Sequence, residues 1–559
     1  MKASVLLGCG AFLLFVATLS RHYTPDTMAF ARLTAQGPQP DSLFFQAEHL
    51  LYPALPWLVH RALIAAGLPL GPLEALQLFN AVAGAVGVAA FHHLLLNLGL
   101  SRVRALAGAL LLAGSYAYWY HATEGEDQIA ANALLLLAAV TLARRPNESA
   151  GSAAVPAAGG PEARAPRPAL QGGAREPGQA RLFPKEEGGE VVPPRPWSLA
   201  ATGGALIALA ILLHGTAVLF APAALWMAWR RLGWRAGALL CLVLGLVLAA
   251  SYAVVGFVAH GITSLEGILA WGLAAPKAGV WGIPSLANLW IGLKGLARAL
   301  LAVAGEPQGR ALVSGDLGAL GGVLVFGLAL GALLVLPVLG LRRGLRAGRE
   351  ERRIRVPFAL LWALPYGLFT IYWAPEDIQF WAGILPPLIF LALGAAPAIA
   401  QPWSAPGGLA AAAIPLLING GLVMLPRSDV ATNRELATAR CIAQATGDQD
   451  LIIAPGWDWA GSYLPYFGQR QVWSLLDHAV LEAGRDPQRL LLLGHAAVAD
   501  IQARGGRAFL VRLPSLAAED AAFFRRVSGL SPEAIDWPRR PAAQCDGETL
   551  WLLDALPPG

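Results

Sequence analysis

Charge is what this chain has least of. Across 559 residues only 14% are Asp, Glu, Lys or Arg, while 56% are apolar and the mean hydropathy is +0.53. That balance excludes an ordinary water-soluble domain. Nucleotide-binding signatures are also missing. There is no Walker A run and no glycine-rich dinucleotide fingerprint, which removes two common ways of cradling a nucleotide phosphate. Cysteine is sparse, at four residues. Cys9 and Cys241 fall in apolar runs, so Cys441 and Cys545 are the pair that shares a polar region. An oxidising compartment permits them to bridge, provided the fold brings their Cα atoms close.

What fills the chain instead is a series of apolar runs, near 3–20, 73–97, 104–120, 127–143, 198–213, 216–229, 234–258, 317–341, 356–373, 380–399 and 407–425. In hydrocarbon each must be helical, because every backbone N–H and C=O has to find its partner within its own segment. The expected fold class is a polytopic α-helical membrane protein with about eleven transmembrane helices, the halves at 198–213 and 216–229 being short for separate crossings. Residues 1–20 also fit a cleaved signal peptide, although the run is long for one. Basic residues gather at Arg102 and Arg104, at Arg144 and Arg145, at Arg230, Arg231 and Arg235, and from Arg342 to Arg355, all on alternate loops. By the positive-inside rule those loops and the N-terminus face the cytoplasm. The turns at 121–127 and 374–379 carry Glu and Asp without Lys or Arg and fall on the outer side. The net charge of +5 is mostly this topological signal; basic residues that flank spans form no stripe for nucleic acid, and none is expected as a partner.

Three regions depart from the membrane pattern. Residues 146–197, rich in Pro, Gly, Ala and Arg, read as a disordered cytoplasmic loop within a membrane domain spanning 1–426. Residues 259–316 form a long outer loop whose Trp271, Lys277, Trp281, Trp290, Lys294 and Arg298 suit the headgroup level. From 427 to 559 the pattern predicts helices over 433–446, 487–504 and 517–527, with strands over 450–454, 471–475, 507–513 and 549–554. A small C-terminal extracytoplasmic α/β domain is the economical reading.

The acids are placed unevenly. Asp26, and then Glu124, Glu126 and Asp127, each follow an apolar run, so both clusters emerge on one face if the first and third helices run the same way. Asp26 also fits a turn or helix cap in Thr24-Pro25-Asp26-Thr27, and the second cluster fits the start of the next helix. Clustered carboxylates such as Glu126 suit a divalent cation, which stays an open cofactor. His49 and His214 fit either an interfacial hydrogen bond or a carrier phosphate. Lys277, Lys294 and Arg298 fit snorkelling or phosphate binding, and Glu376 with Asp377 occupy another outer turn. In the tail, Trp457-Asp458-Trp459 and Tyr463 follow the first strand, where aromatic faces serve either a sugar or the core.

The segments His22-Tyr23-Thr24-Pro25-Asp26, His49-Leu50-Leu51-Tyr52-Pro53, Phe79-Asn80, Tyr118-Trp119-Tyr120 with Glu126, and Leu213-His214-Gly215-Thr216 occur in an order and spacing that resembles the GT-C superfamily of membrane glycosyltransferases. Bacterial relatives of protein O-mannosyltransferases are the branch it is most similar to, over roughly the first 230 residues. The resemblance implies a catalytic role for Asp26 and for Glu126; Tyr52 and Glu124 are further candidates for substrate contact. It departs after Glu126, where Asp127-Gln128 replaces the usual hydrophobic-aromatic pair. Outside the cytoplasm no nucleotide-sugar pool exists, so an activated sugar must arrive on a polyprenyl phosphate. Asp26 would then take the proton of an acceptor hydroxyl on a glycan, lipid or protein, and direct displacement would invert the anomeric centre. A transporter or lipid flippase, or a non-catalytic envelope assembly protein, also fits many spans with few charges. The expected location is a bacterial cytoplasmic membrane, with the C-terminal domain outside.

Overall fold

The computed structural model describes residues 2–39, 43–144, 195–273, 280–302, 317–346, 354–395 and 406–554. The loop expected to be disordered at 146–197 lies almost wholly outside them. Helices α1 (Lys2–Ala17), α2 (Pro25–Gln36), α3 (Ala54–Ala65) and α4 (Pro72–Asn97) come first. Thr24 caps α2, its hydroxyl accepting the Thr27 N–H at 3.0 Å, and Pro25 occupies a first-turn position that needs no N–H. Next come α5 (Arg102–Gly114), α6 (Tyr116–Thr123) and α7 (Gln128–Ala143). The apolar run at 104–120 is therefore two helices. Ser115 is extended, and its hydroxyl bonds back to the Leu112 carbonyl at 2.7 Å. Because α6 and α7 meet at 115°, the acidic residues 124–127 occupy the bend.

The chain continues through α8 (Pro196–Leu213), a 3-10 segment at Gly215–Phe220, α9 (Ala221–Leu232) and α10 (Trp234–His260). Next come α11 (Leu265–Leu273) and α12 (Ala287–Leu300). Then follow α13 (Leu317–Arg346), α14 (Val356–Trp373), α15 (Ile378–Ala382), α16 (Leu385–Ala395) and α17 (Pro406–Asn419), which runs on through a π turn to Arg427. Among the described residues five helices are long and apolar enough to cross a bilayer: Pro72–Asn97, Pro196–Leu213, Trp234–His260, Val356–Trp373 and Leu409–Arg427. Counting the bent pair of α6 and α7 as one span makes six. Other apolar runs form shorter helices, as α1 does over Lys2–Ala17.

The C-terminal region adds α18 (Arg434–Ala445), β1 (Leu451–Ala454), α19 (Trp459–Phe467), β2 (Gln471–Ser474), α20 (Leu475–Leu481), α21 (Pro487–Ala503), β3 (Ala508–Leu510), α22 (Ala518–Ser528), β4 (Arg539–Cys545) and β5 (Glu548–Leu553). The sheet order is β2-β1-β3-β5-β4, parallel across the first three strands and antiparallel across the last two pairings. Every residue of central β1 is buried, as an apolar strand covered on both faces requires. Cys441 and Cys545 form a disulfide, with Cα atoms 5.7 Å apart, that ties α18 to β4. The change of composition near 427 is not a break in packing. One apolar cluster runs from Phe15 and Met28 to Leu436, Ile452 and Tyr463.

Candidate active site at the meeting of two acidic turns

Two buried amides on α4 hold the acidic turns in place. Gln77 donates from Nε2 to the carbonyls of Ser20 and Thr123, at 2.8 and 2.9 Å, stapling the turn after α1 to the end of α6. Asn80 donates to the carbonyls of Glu124 and Glu126 at 3.0 and 2.5 Å, while its Oδ1 accepts from the Tyr52 hydroxyl at 3.1 Å. Such bonds leave few carbonyls of this buried bend unpaired. Thr27, one residue past Asp26, completes the junction. Its hydroxyl donates to Glu124 Oε2 at 3.2 Å and accepts the Gly125 N–H at 3.1 Å. Space at Gly125 is tight, since a Cβ there would sit 2.4 Å from a Leu76 methyl and 2.8 Å from the Thr27 methyl, and both side chains would have to move.

Each acid in the bend has its own counterpart. Glu124, fully buried, accepts from Arg427 Nη2 at 3.0 Å. The same nitrogen donates to the His22 carbonyl at 2.7 Å, and the guanidinium lies 4.7 Å from the centre of the Tyr120 ring. Glu126 meets His121 Nδ1 at 2.9 Å. Asp127 contacts His49 Nδ1 through Oδ2, and His214 Nε2 lies 4.0 Å from its Oδ1. His49 sits in the 3-10 turn Ala47–His49; His214 sits in the break after α8, its Nδ1 2.6 Å from the Thr216 hydroxyl. These three residues can converge on a cation, for their donor atoms lie within 4.8 Å of one another. Glu126, the sequence-based candidate for that role, faces His121 instead.

Asp26 is exposed in the first turn of α2. Asp377 caps α15, accepting the Gln379 N–H at 3.0 Å. Burial, reinforced by the negative charges of Glu126 and Asp26, raises its carboxyl to about 7. Phe380 on α15 lies 6.0 Å from His214, so this turn closes on the same site, with Glu376 exposed beside it. Lys294 is half-buried and Arg298 exposed on α12, which packs against α6 and α15. Lys277 lies outside the described residues. Tyr52 is fully buried behind the bend, edge-on to Phe30 at 4.8 Å.

His121, Arg427 and Gln77 were not singled out in the sequence. His121 extends the aromatic run 118–120, and Arg427 ends the last apolar run; those positions were the only signals. In the C-terminal sheet Trp459 and Tyr463 are buried. Asp458 caps α19 and pairs with Arg512 Nε at 2.8 Å, yet burial outweighs that cation and pushes its carboxyl up to about 6.

No family model matches the chain, and no curated protein sequence matches it. Among solved structures, it is similar to ArnT from Cupriavidus metallidurans bound to undecaprenyl phosphate. The identity is 14%, the match covers 98% of this chain and 97% of that one, and the TM-score is 0.54. The apo oligosaccharyltransferase of Archaeoglobus fulgidus is 10% identical, covering 96% of this chain and 73% of that one, with a TM-score of 0.49. The likeness to ArnT extends over nearly the whole length of both chains, and it shows that this chain shares the fold of that structure.

Proposed function

We propose that the chain is a membrane glycosyltransferase that moves a sugar from a polyprenyl-phosphate carrier to an acceptor hydroxyl outside the cytoplasm. The observation that carries this reading is the junction of the turns bearing Asp26 and Glu124 to Asp127, joined through Thr27 and Gln77. The undecaprenyl phosphate bound to ArnT supports a lipid carrier of the same class. Asp26, exposed at the start of α2, takes the proton of the acceptor hydroxyl as its oxygen attacks the anomeric carbon. The bond from that carbon to the phosphate oxygen breaks, the phosphate departs on its lipid, and the anomeric centre inverts. Glu126 orients the acceptor from the bend. His49, His214, Lys294 and Arg298 offset the developing phosphate charge. Glu376 and Asp377 line the acceptor side; Tyr52 and Glu124 support the wall.

Asp26→Asn in membranes supplied with polyprenyl-phosphate sugars is the test. Loss of about a hundredfold or more in transfer, at unchanged protein level, is the expected result for removal of a general base. Undiminished transfer would remove Asp26 from the mechanism. Movement of lipid across the bilayer with no new glycosidic bond would make the chain a transporter.

A further inference from the structure

We propose that the cavity between the C-terminal region and the ends of α1, α4 and α17 holds the headgroup of a zwitterionic bilayer lipid, with phosphoethanolamine chemistry: one phosphate diester and one primary ammonium. The cavity measures about 440 Å³. Glu74, in the first turn of α4, and Asp429, just past the end of α17, line one side; Arg440 of α18 and Tyr466 of α19 line the other. Both α4 and the helix Leu409–Arg427 are long and apolar enough to cross a bilayer. The cavity therefore lies where two spans end, which is the depth of the lipid headgroups. Leu422 and Leu425 are exposed on the last turns before that end and offer acyl chains an apolar surface.

The charges around the cavity are balanced but not paired. Arg21 and Arg440 bring two guanidiniums, and Glu74 and Asp429 bring two carboxylates. Among the described residues none of the four takes part in an ion pair, although opposite signs line the same space. Such spacing suits a ligand that carries both signs. A guanidinium grips a phosphate through parallel N–H donors, and a carboxylate accepts from an ammonium. Asp429 already accepts the Ala431 N–H at 2.9 Å, which leaves Glu74 the less committed acceptor.

The aromatic wall fits the same ligand. The rings of Tyr23 and Phe467 lie 5.7 Å apart, and Tyr466 stands edge-on to Phe467 at 4.9 Å. An ammonium is favoured against such faces. Burial raises the Tyr23 phenol; Arg21 opposes that rise and Glu74 adds to it. Burial, with the Glu74 charge behind it, pushes Tyr466 up to about 12. Glu74 thus acts on both hydroxyls of the wall, with Arg21 on the far side of one. An anionic lipid would set its charge against two acids with no cation of its own to offer them. A choline headgroup has no N–H to give them. Ethanolamine satisfies both signs. Bound there, the lipid ties the C-terminal region to the span ends and stabilises the folded chain by mass action. Nothing in this depends on the transferase reading.

Full-length protein in detergent, stripped of lipid and titrated with phosphatidylethanolamine, phosphatidylglycerol or phosphatidylcholine under native mass spectrometry, tests the site. One phosphatidylethanolamine per chain is expected, held about tenfold more tightly than either other lipid. Arg21→Gln combined with Arg440→Gln should weaken it by about tenfold, and Glu74→Gln should erase the preference over phosphatidylglycerol. Arg440→Gln alone, at an exposed position, should weaken it by about threefold and serves if the double variant does not fold. Equal binding of phosphatidylethanolamine and either other lipid, or binding unchanged in folded Arg440→Gln protein, overturns the proposal. Glycerophosphoethanolamine, which has no acyl chains, overturns it too if it binds as tightly as the intact lipid, because the cavity would then serve a soluble ligand.

Discussion

At the scale of single residues the structure places carboxylates where their charge is costly, and the surroundings decide which stay ionised. Asp377 is the clearest case. Its carboxyl is raised to about 7 by burial and by Glu126, well above the value in an unfolded chain. An acid held above its unfolded value binds its proton longer in the folded state, so stability declines as pH rises between the two values and levels off beyond about 7. Thermal unfolding in detergent across pH 4 to 8 should show that decline, and Asp377→Asn, which can still cap α15, should flatten it. The acids themselves were legible in the sequence, because polar residues after apolar runs stand out. Their partners were not, since Arg427 reaches Glu124 across 303 positions and His121 looks like one more ring in an aromatic run.

Secondary elements were legible where their periodicity was clean. Helices α18, α21 and α22 and strands β1, β2, β3 and β5 were expected near the ranges they occupy. The strand missed was β4, Arg-Arg-Pro-Ala-Ala-Gln-Cys, whose polar residues and Pro541 disguise it. Its place at the sheet edge explains both, because an edge strand faces water and tolerates a missing N–H. Helix α19 was missed because Gly461 and Pro465 interrupt nine residues. The break at Ser115 was hidden within a continuous apolar run. The disulfide that anchors β4 to α18 should bear much of that edge's stability. Cys441→Ser with Cys545→Ser is expected to cost about 2 to 4 kcal/mol, and hydrogen exchange over 539–545 should accelerate more than over β1.

At the scale of the whole molecule the C-terminal region and the N-terminal helices share a polar lock as well as a core. The Tyr463 hydroxyl accepts the Tyr23 N–H at 2.7 Å and donates to the Tyr23 carbonyl at 3.0 Å, while His22 meets Thr432 at 2.7 Å. Tyr463→Phe strands both backbone groups and should cost about 1 to 3 kcal/mol. Faster proteolysis in the 428–433 linker, with the sheet itself intact, would be the sign. That this domain would bear directly on the turn before Asp26 was not legible, since composition marks where polarity changes and is silent on what folds back.

Arg427 sits at the end of the last membrane helix, and its guanidinium grips the bend built by residues 120–127. A ribosome delivers that bend to the bilayer some three hundred residues before it delivers the arginine. Until then Glu124 has no counterion and the first turn lacks its clamp. Newly inserted chain thus waits, its acidic corner unassembled, and that corner is clamped only as the final helix arrives.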